Sequence, residues 1–265
     1  MPPADIDALY ANLEDHYAHL ARMSGSEYHR DADVAWFVSG RTENFFNAVV
    51  SAAFEPTAAA RRVDEVLRPF VDRGIPMRWW TDERGLAADL DGLLERRGFE
   101  LRWDVPGMTM DLASLVAART DVASPDGLEV RRVLDEAGLR AWAATFATAY
   151  GLPKDAADVW FAALAELGLD RDAPLRRYLG LLGGEPVATA TMHLGGGAAG
   201  LYQIGTIPEV RRRGIGAEVT LAPLLEARAE GVRFGVLKAS DLGRGVYERL
   251  GFRERTRLRQ YRLTP

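Results

Sequence analysis

The stretch "YQIGTIPEVRRRGIG", Tyr202 to Gly216, sets three arginines between an apolar segment and two glycines one residue apart. Arginine forks match phosphate oxygens. Glycine lets backbone approach a ligand closely, and the first N–H groups of a helix point outward at its positive end. Arg211, Arg212 and Arg213, leading into a helix through Gly214, Ile215 and Gly216, therefore suit an anion. A solvated arginine run beside an ordinary glycine turn is the plainer alternative; the strand before it and the helix after it weigh against that. Further on, "VYERLGF" carries Tyr247. A phenol of pKa about 10 stays protonated at neutral pH and can serve as an acid. The i,i+3 spacing from Tyr247 to Leu250 suits a core aromatic equally well.

A general base is harder to assign. Glu209 follows the strand, but its arginine neighbours make an ion pair as good a reading. His193 has the intrinsic pKa for the task. Tyr202 and Gln203 alternate faces, so one of them views an acceptor. Ordered water is the remaining option.

Several chemistries fall away. The chain has 265 residues, a net charge of -5 and no cysteine, which excludes disulfides, thiolate metal sites and a cysteine nucleophile. His16, His19 and His29 assemble no metal site and read as surface or structural. The acidic balance gives no overall attraction to nucleic acid. The opening "MPPADIDALY" lacks a basic leader before an apolar core, and no apolar run reaches the roughly 20 residues of a membrane helix. The expectation is a soluble cytoplasmic protein with no metal, nucleic-acid or membrane partner; a homo-oligomer is compatible with it. Gly214, Gly216 and Val219 give GxGxxV, but the acid a dinucleotide site wants about 20 residues on is missing at Lys238-Ala239-Ser240. No Gly-Lys-Ser/Thr closes a Walker A loop.

The elements that hold these residues read in order. "ARTDVASPDG", 118 to 127, has loop composition and is the best internal boundary. After it come a strand at "LEVRRVL", a helix over 136–149 with Leu139, Trp142 and Phe146 on one side, and a second helix from about Asp155. "LRRYLGLL" and "PVATATMHL" form a hairpin across "GGE", and "GGGAAG" turns into "LYQIGTI". The helix from Gly214 to about Glu230 contains Pro223, which predicts a kink. "RFGVLKA" is a strand, "LGRGVYERL" a short helix and "RERTRLRQYRL" a final strand. The order β-α-α-β-β-β-α-β-α-β predicts antiparallel hairpins followed by one right-handed parallel crossover. The N-terminal half repeats the ending: "LLERRGF" aligns with "VYERLGF", each after a glycine-led apolar strand, "GIPMRWW" and "GVRFGVL". Leu94 stands where the second copy has Tyr247, and "EPTAAARRVDEVL" has no glycine pair. In "GIPMRWW", Trp79 and Trp80 face opposite sides of a core strand.

With these motifs on the page, the chain resembles the GCN5-related N-acetyltransferase (GNAT) superfamily over about residues 127 to 265. The R/Q-x-x-G-x-G/A signature is met by Arg211, Gly214 and Gly216, and "ASDLGRGVYERLGF" resembles the closing segment. The resemblance implies an α/β fold (mixed α+β) of two tandem acyl-CoA N-acyltransferase-like domains. Each would be a mixed, mostly antiparallel twisted sheet flanked by helices: 1–120 a degenerate copy without the phosphate loop, 127–265 the catalytic domain. "RTENFFNAVV" and "PGMTMDL" also look like pieces of tandem actinobacterial acetyltransferase-like proteins. The implied cosubstrate is acetyl-CoA, held by Thr206, Ile207, Arg211, Arg212, Arg213, Gly214, Ile215, Gly216 and Ser240, with the oxyanion donor near Ile207. Tyr247 would be the general acid and Glu209 a candidate base for acetylating an amine, the acceptor being chosen by the 136–167 helix pair and the "YGLPKDAAD" loop. A non-catalytic acyl-CoA-binding or regulatory protein is the second reading. A nucleotide-binding oxidoreductase is the third, disfavoured by the missing ribose acid and the antiparallel start.

Overall fold

The computed structural model describes residues 4–115, 125–153 and 155–264. The first half contains α1 (Ala4–Leu20), β1 (Glu27–Arg30), β2 (Val34–Val38), β3 (Asn47–Ala52), α2 (Ala59–Val71), β4 (Met77–Thr81), α3 (Leu90–Glu95) and β5 (Glu100–Asp111). The second half begins with β6 (Leu128–Arg132), α4 (Glu136–Tyr150), α5 (Ala156–Ala165), β7 (Leu175–Leu182), β8 (Glu185–Gly195) and β9 (Ala198–Thr206). It ends with α6 (Ile215–Ala229), β10 (Phe234–Lys238), α7 (Asp241–Arg249) and β11 (Arg253–Leu263). Residues 118–124 of the expected boundary lie outside the described residues.

Two compact units form, and each draws on both halves of the chain. The first unit comprises the residues up to Asn12 together with Met108–Arg253; the second comprises Leu13–Gly107 with Glu254–Pro265.

In the first unit the strand order is β5-β10-β9-β8-β7-β6. β6 to β9 pair antiparallel, and β9 pairs parallel with β10, as the crossover through α6 requires. Side-chain parity assigns the faces. Gly180 meets Val219 of α6, and the Tyr178 hydroxyl donates to Glu226 of α6 at 2.9 Å. Arg177, next to Tyr178 and of the opposite parity, turns to the carbonyls of Leu164 and Gly168 at the end of α5. One face of the sheet therefore carries α6 and the other carries α5 with α4. Leu201, Val219, Leu224 and Leu237 share a core with Met108, Met110 and Leu112. α6 runs through Pro223 as one helix, although the proline removes a bond to the preceding turn and predicted a kink. Pro223 is buried there.

The second unit has the order β1-β2-β3-β4-β11-β5. β3 and β4 are parallel, the same exception to an antiparallel sheet that β9 and β10 make. α2 links them and also contains a proline, Pro69. The strand-helix-strand-helix order of the predicted repeat is thus present twice. β11 closes this unit by pairing antiparallel with β4, Tyr261 opposite Trp79. Trp79 packs edge-on against Phe54 and Phe99 in the α2–α3 core, and Trp80 turns to Tyr17 and Trp103. Both indoles are buried, on opposite faces.

Candidate functional site

The site is built around a fault in β9. On β8 Thr191 pairs with Tyr202 and Thr189 with Gly205, so two residues of β9 face one of β8, a bulge at Gln203 and Ile204. Gln203 has φ of 45°, a left-handed conformation costly for a residue with a Cβ. The bulge reverses side-chain parity. Before it, Gly200 and Tyr202 face Asn12. After it, Gly205 faces Ala149 and Tyr150 of α4, while the Thr206 hydroxyl lies over Gly216 at the start of α6.

Backbone direction follows. The Ile207 N–H donates to the Val187 carbonyl at 2.9 Å, so it is spent on β8 and a donor near Ile207 must come from a neighbouring residue. Residues 206 and 204, one and three positions back, then present N–H and C=O away from β8. Pairing with β10 stops at Leu201 opposite Leu237, so β9 continues beyond the last paired residues. β10 ends at Lys238, so past Leu201 β9 has no further β10 partner, and the donors on that side belong to Ile204 and Thr206.

At one end of this edge lies the glycine loop. Pro208–Val210 make a single 3₁₀ turn carrying Glu209, which is exposed. Gly214 caps α6 at φ of 82°, a conformation natural to glycine, and no side chain caps the helix. Its first N–H groups are therefore oriented for an anion. Arg211, Arg212 and Arg213 are exposed; Arg212 is left-handed at φ of 62°. Arg211 is engaged, donating to the carbonyls of Thr206 at 2.9 Å and Ala149 at 2.7 Å. Ile215 contributes its backbone to the loop and its side chain to the core.

At the other end, Ser240 caps α7, its hydroxyl accepting from the Gly243 N–H at 3.3 Å. Tyr247 is buried and leans back along α7, as helical side chains do. A Cβ on Gly243 would lie 2.7 Å from its ring and 3.1 Å from its hydroxyl. Burial, with a smaller contribution from Tyr150, pushes the Tyr247 pKa up, so the phenol keeps its proton. Tyr150, the last residue of α4, was not singled out in the sequence. Its hydroxyl donates to the Ile204 carbonyl at 3.0 Å. His193 is buried, and its carbonyl accepts from Asn12 at 3.0 Å. His16 and His19 are buried and His29 stacks on Trp36, which fits structural use. Among the described residues no group of acids and histidines could hold a metal. Lys154 of the acceptor loop lies outside the described residues.

Residues 138–252 match the family model of the acetyltransferase (GNAT) family. A GCN5-related N-acetyltransferase from Kribbella flavida superposes with a TM-score of 0.69 at 18% identity, over 94% of each chain. Another from Sphaerobacter thermophilus gives 0.61 at 16%, over 87% of this chain and 80% of that one. A tandem GNAT protein from the clavulanic acid biosynthesis pathway gives 0.63 at 13%, over 95% and 87%. No curated protein gives a significant match. The fold is that of the GNAT acetyltransferases. No described helix is long and apolar enough to cross a membrane.

Proposed function

We propose that this chain transfers the acetyl group of acetyl-CoA to a primary amine of a small-molecule acceptor, with one cofactor site in the 127–265 half. The 1–120 half is a copy of the same unit without a phosphate loop. One observation carries the reading: the open edge of β9 runs from an uncapped, glycine-led helix start to a buried tyrosine that keeps its proton.

Acetyl-CoA supplies an acetyl group activated as a thioester. The N–H groups from Gly214 to Gly216, with Arg212 and Arg213, fit its pyrophosphate; Thr206 and Ser240 border the path of its arm. Ile207 packs behind that path. The N–H groups of Ile204 and Thr206 face the gap, where they can stabilise a developing oxyanion. As the amine nitrogen bonds the carbonyl carbon and the carbon–sulfur bond breaks, Tyr247 gives its proton to the departing sulfur. The proton lost by the amine goes to water, because the exposed Glu209 stands at the phosphate end of the edge.

The test is calorimetric titration with acetyl-CoA, then thiol release across a panel of amines. Tyr247→Phe should lower kcat by about 100-fold or more while changing acetyl-CoA affinity little. Equal turnover by the two proteins would remove Tyr247 from the chemistry. Binding without thiol release on any amine would favour the non-catalytic acyl-CoA binder.

A further inference from the structure

The open edge of β9 is already in use. Its two outward carbonyls past the bulge are those of Ile204 and Thr206, and each accepts a bond from a side chain outside the strand. Tyr150 supplies one at 3.0 Å and Arg211 the other at 2.9 Å. Arg211 also holds the Ala149 carbonyl at 2.7 Å, at the last turn of α4. The end of α4 is thus stapled to β9 by two adjacent residues, 149 and 150. The contact is close: a Cβ on Gly205 would come within 2.9 Å of both the Ala149 Cβ and the Tyr150 ring. The Tyr150 residue is nonetheless 44% exposed, so it has somewhere to go.

An extended arm carrying amides binds a strand edge through these same backbone groups. The Tyr150 hydroxyl and the Arg211 side chain stand within 3.0 Å of those carbonyls, in the space such an arm would take. We propose that Tyr150 and Arg211 form a strap across the acyl-donor channel, and that acetyl-CoA binds by displacing it, releasing the end of α4. The exchange has a built-in drive on the arginine side. A phosphate oxygen brings a full negative charge and two-pronged pairing to the guanidinium, which the neutral carbonyls holding Arg211 do not offer. Arg211 therefore moves to the anion when one arrives at α6, and the strap loses its second anchor. This inference rests on the acetyl-CoA reading and adds a regulation to that site.

Tyr150→Phe keeps the ring and removes the hydroxyl, leaving the Ile204 carbonyl to water until the ligand comes. Calorimetric titration with acetyl-CoA should show the variant binding about 2- to 10-fold more tightly than wild type, with faster association by stopped flow. Hydrogen exchange should show acetyl-CoA raising exchange at the 149–152 amides of wild type while lowering it at Ile204 and Thr206. Variant binding equal to or weaker than wild type, or a 149–152 segment that acetyl-CoA leaves unchanged or protects, overturns the strap while the cofactor reading stands. A wild type that does not bind acetyl-CoA at all defeats the cofactor reading itself.

Discussion

A methyl group at position 243 separates the chemistry proposed for Tyr247 from its packing. Alanine is intrinsically better than glycine inside a helix, by up to about 1 kcal/mol. Yet its Cβ would meet the Tyr247 ring at 2.7 Å and force the phenol aside. Gly243→Ala should therefore keep or nearly keep thermal stability and acetyl-CoA affinity, and lose thiol release by about 10-fold or more. Unimpaired release would mean the phenol position does not matter. The position of Tyr247 was legible because its neighbours, "VYERLGF", have a recurring spacing. Tyr150 was not. Its place in the site depends on the parity change at Gln203, a left-handed residue that nothing in a run of alternating apolar and polar residues announces. Counting faces along "LYQIGTI" without the bulge puts Thr206 and Tyr202 on one side; the structure puts them on two. The donor expected near Ile207 is not the Ile207 N–H itself, for a related reason. Residue type identified the strand, but only the ladder shows which N–H groups are spent on β8.

At the scale of elements, the start of α1 is locked to the β8–β9 hairpin through one side chain. Asn12 is fully buried; its amide donates to the carbonyls of His193, Gly195 and Ala198 at 2.8–3.0 Å, and its oxygen accepts from the Tyr202 hydroxyl at 2.7 Å. The socket needs glycines. A Cβ on Gly200 would sit 1.8 Å from the Asn12 oxygen, and one on Gly196 2.4 Å from the backbone of Ala11 and Asn12. Thr109 adds a second tie, donating to Asp5 at 2.7 Å. Asn12→Ala strands buried carbonyls and a hydroxyl at once, so it should cost about 2–4 kcal/mol, measured as a lower urea midpoint with m unchanged. A loss under 0.5 kcal/mol (about the scatter of surface changes) would show that water replaces the amide freely. In the sequence "GGGAAG" reads correctly as a turn. That the turn is also a receptor for a helix about 180 residues earlier has no local signature.

For the whole molecule, the compact units are not legible in the chain. β3 pairs parallel with β4 and β9 with β10, each through a proline-containing helix, an element order that "LLERRGF" and "VYERLGF" share. Linear halves nevertheless leave each core short. The first unit needs Asn12 and the buried Met108, Met110, Leu112 and Leu115; the second needs Tyr261, opposite Trp79 on β4. Burying one such side chain is worth about 1.5–3 kcal/mol, and a domain's whole stability is about 5–15 kcal/mol. Four missing core residues remove about 6–12 kcal/mol, and with the Asn12 anchor also gone this takes most or all of the stability such a unit has. A fragment of residues 125–265 should therefore lack a cooperative urea transition and bind no acetyl-CoA. Adding a separately produced 1–115 fragment should restore both. A cooperative transition from 125–265 alone, with acetyl-CoA affinity near that of the full chain, would mean the borrowed segments are dispensable and that the cofactor half is a domain in the ordinary linear sense.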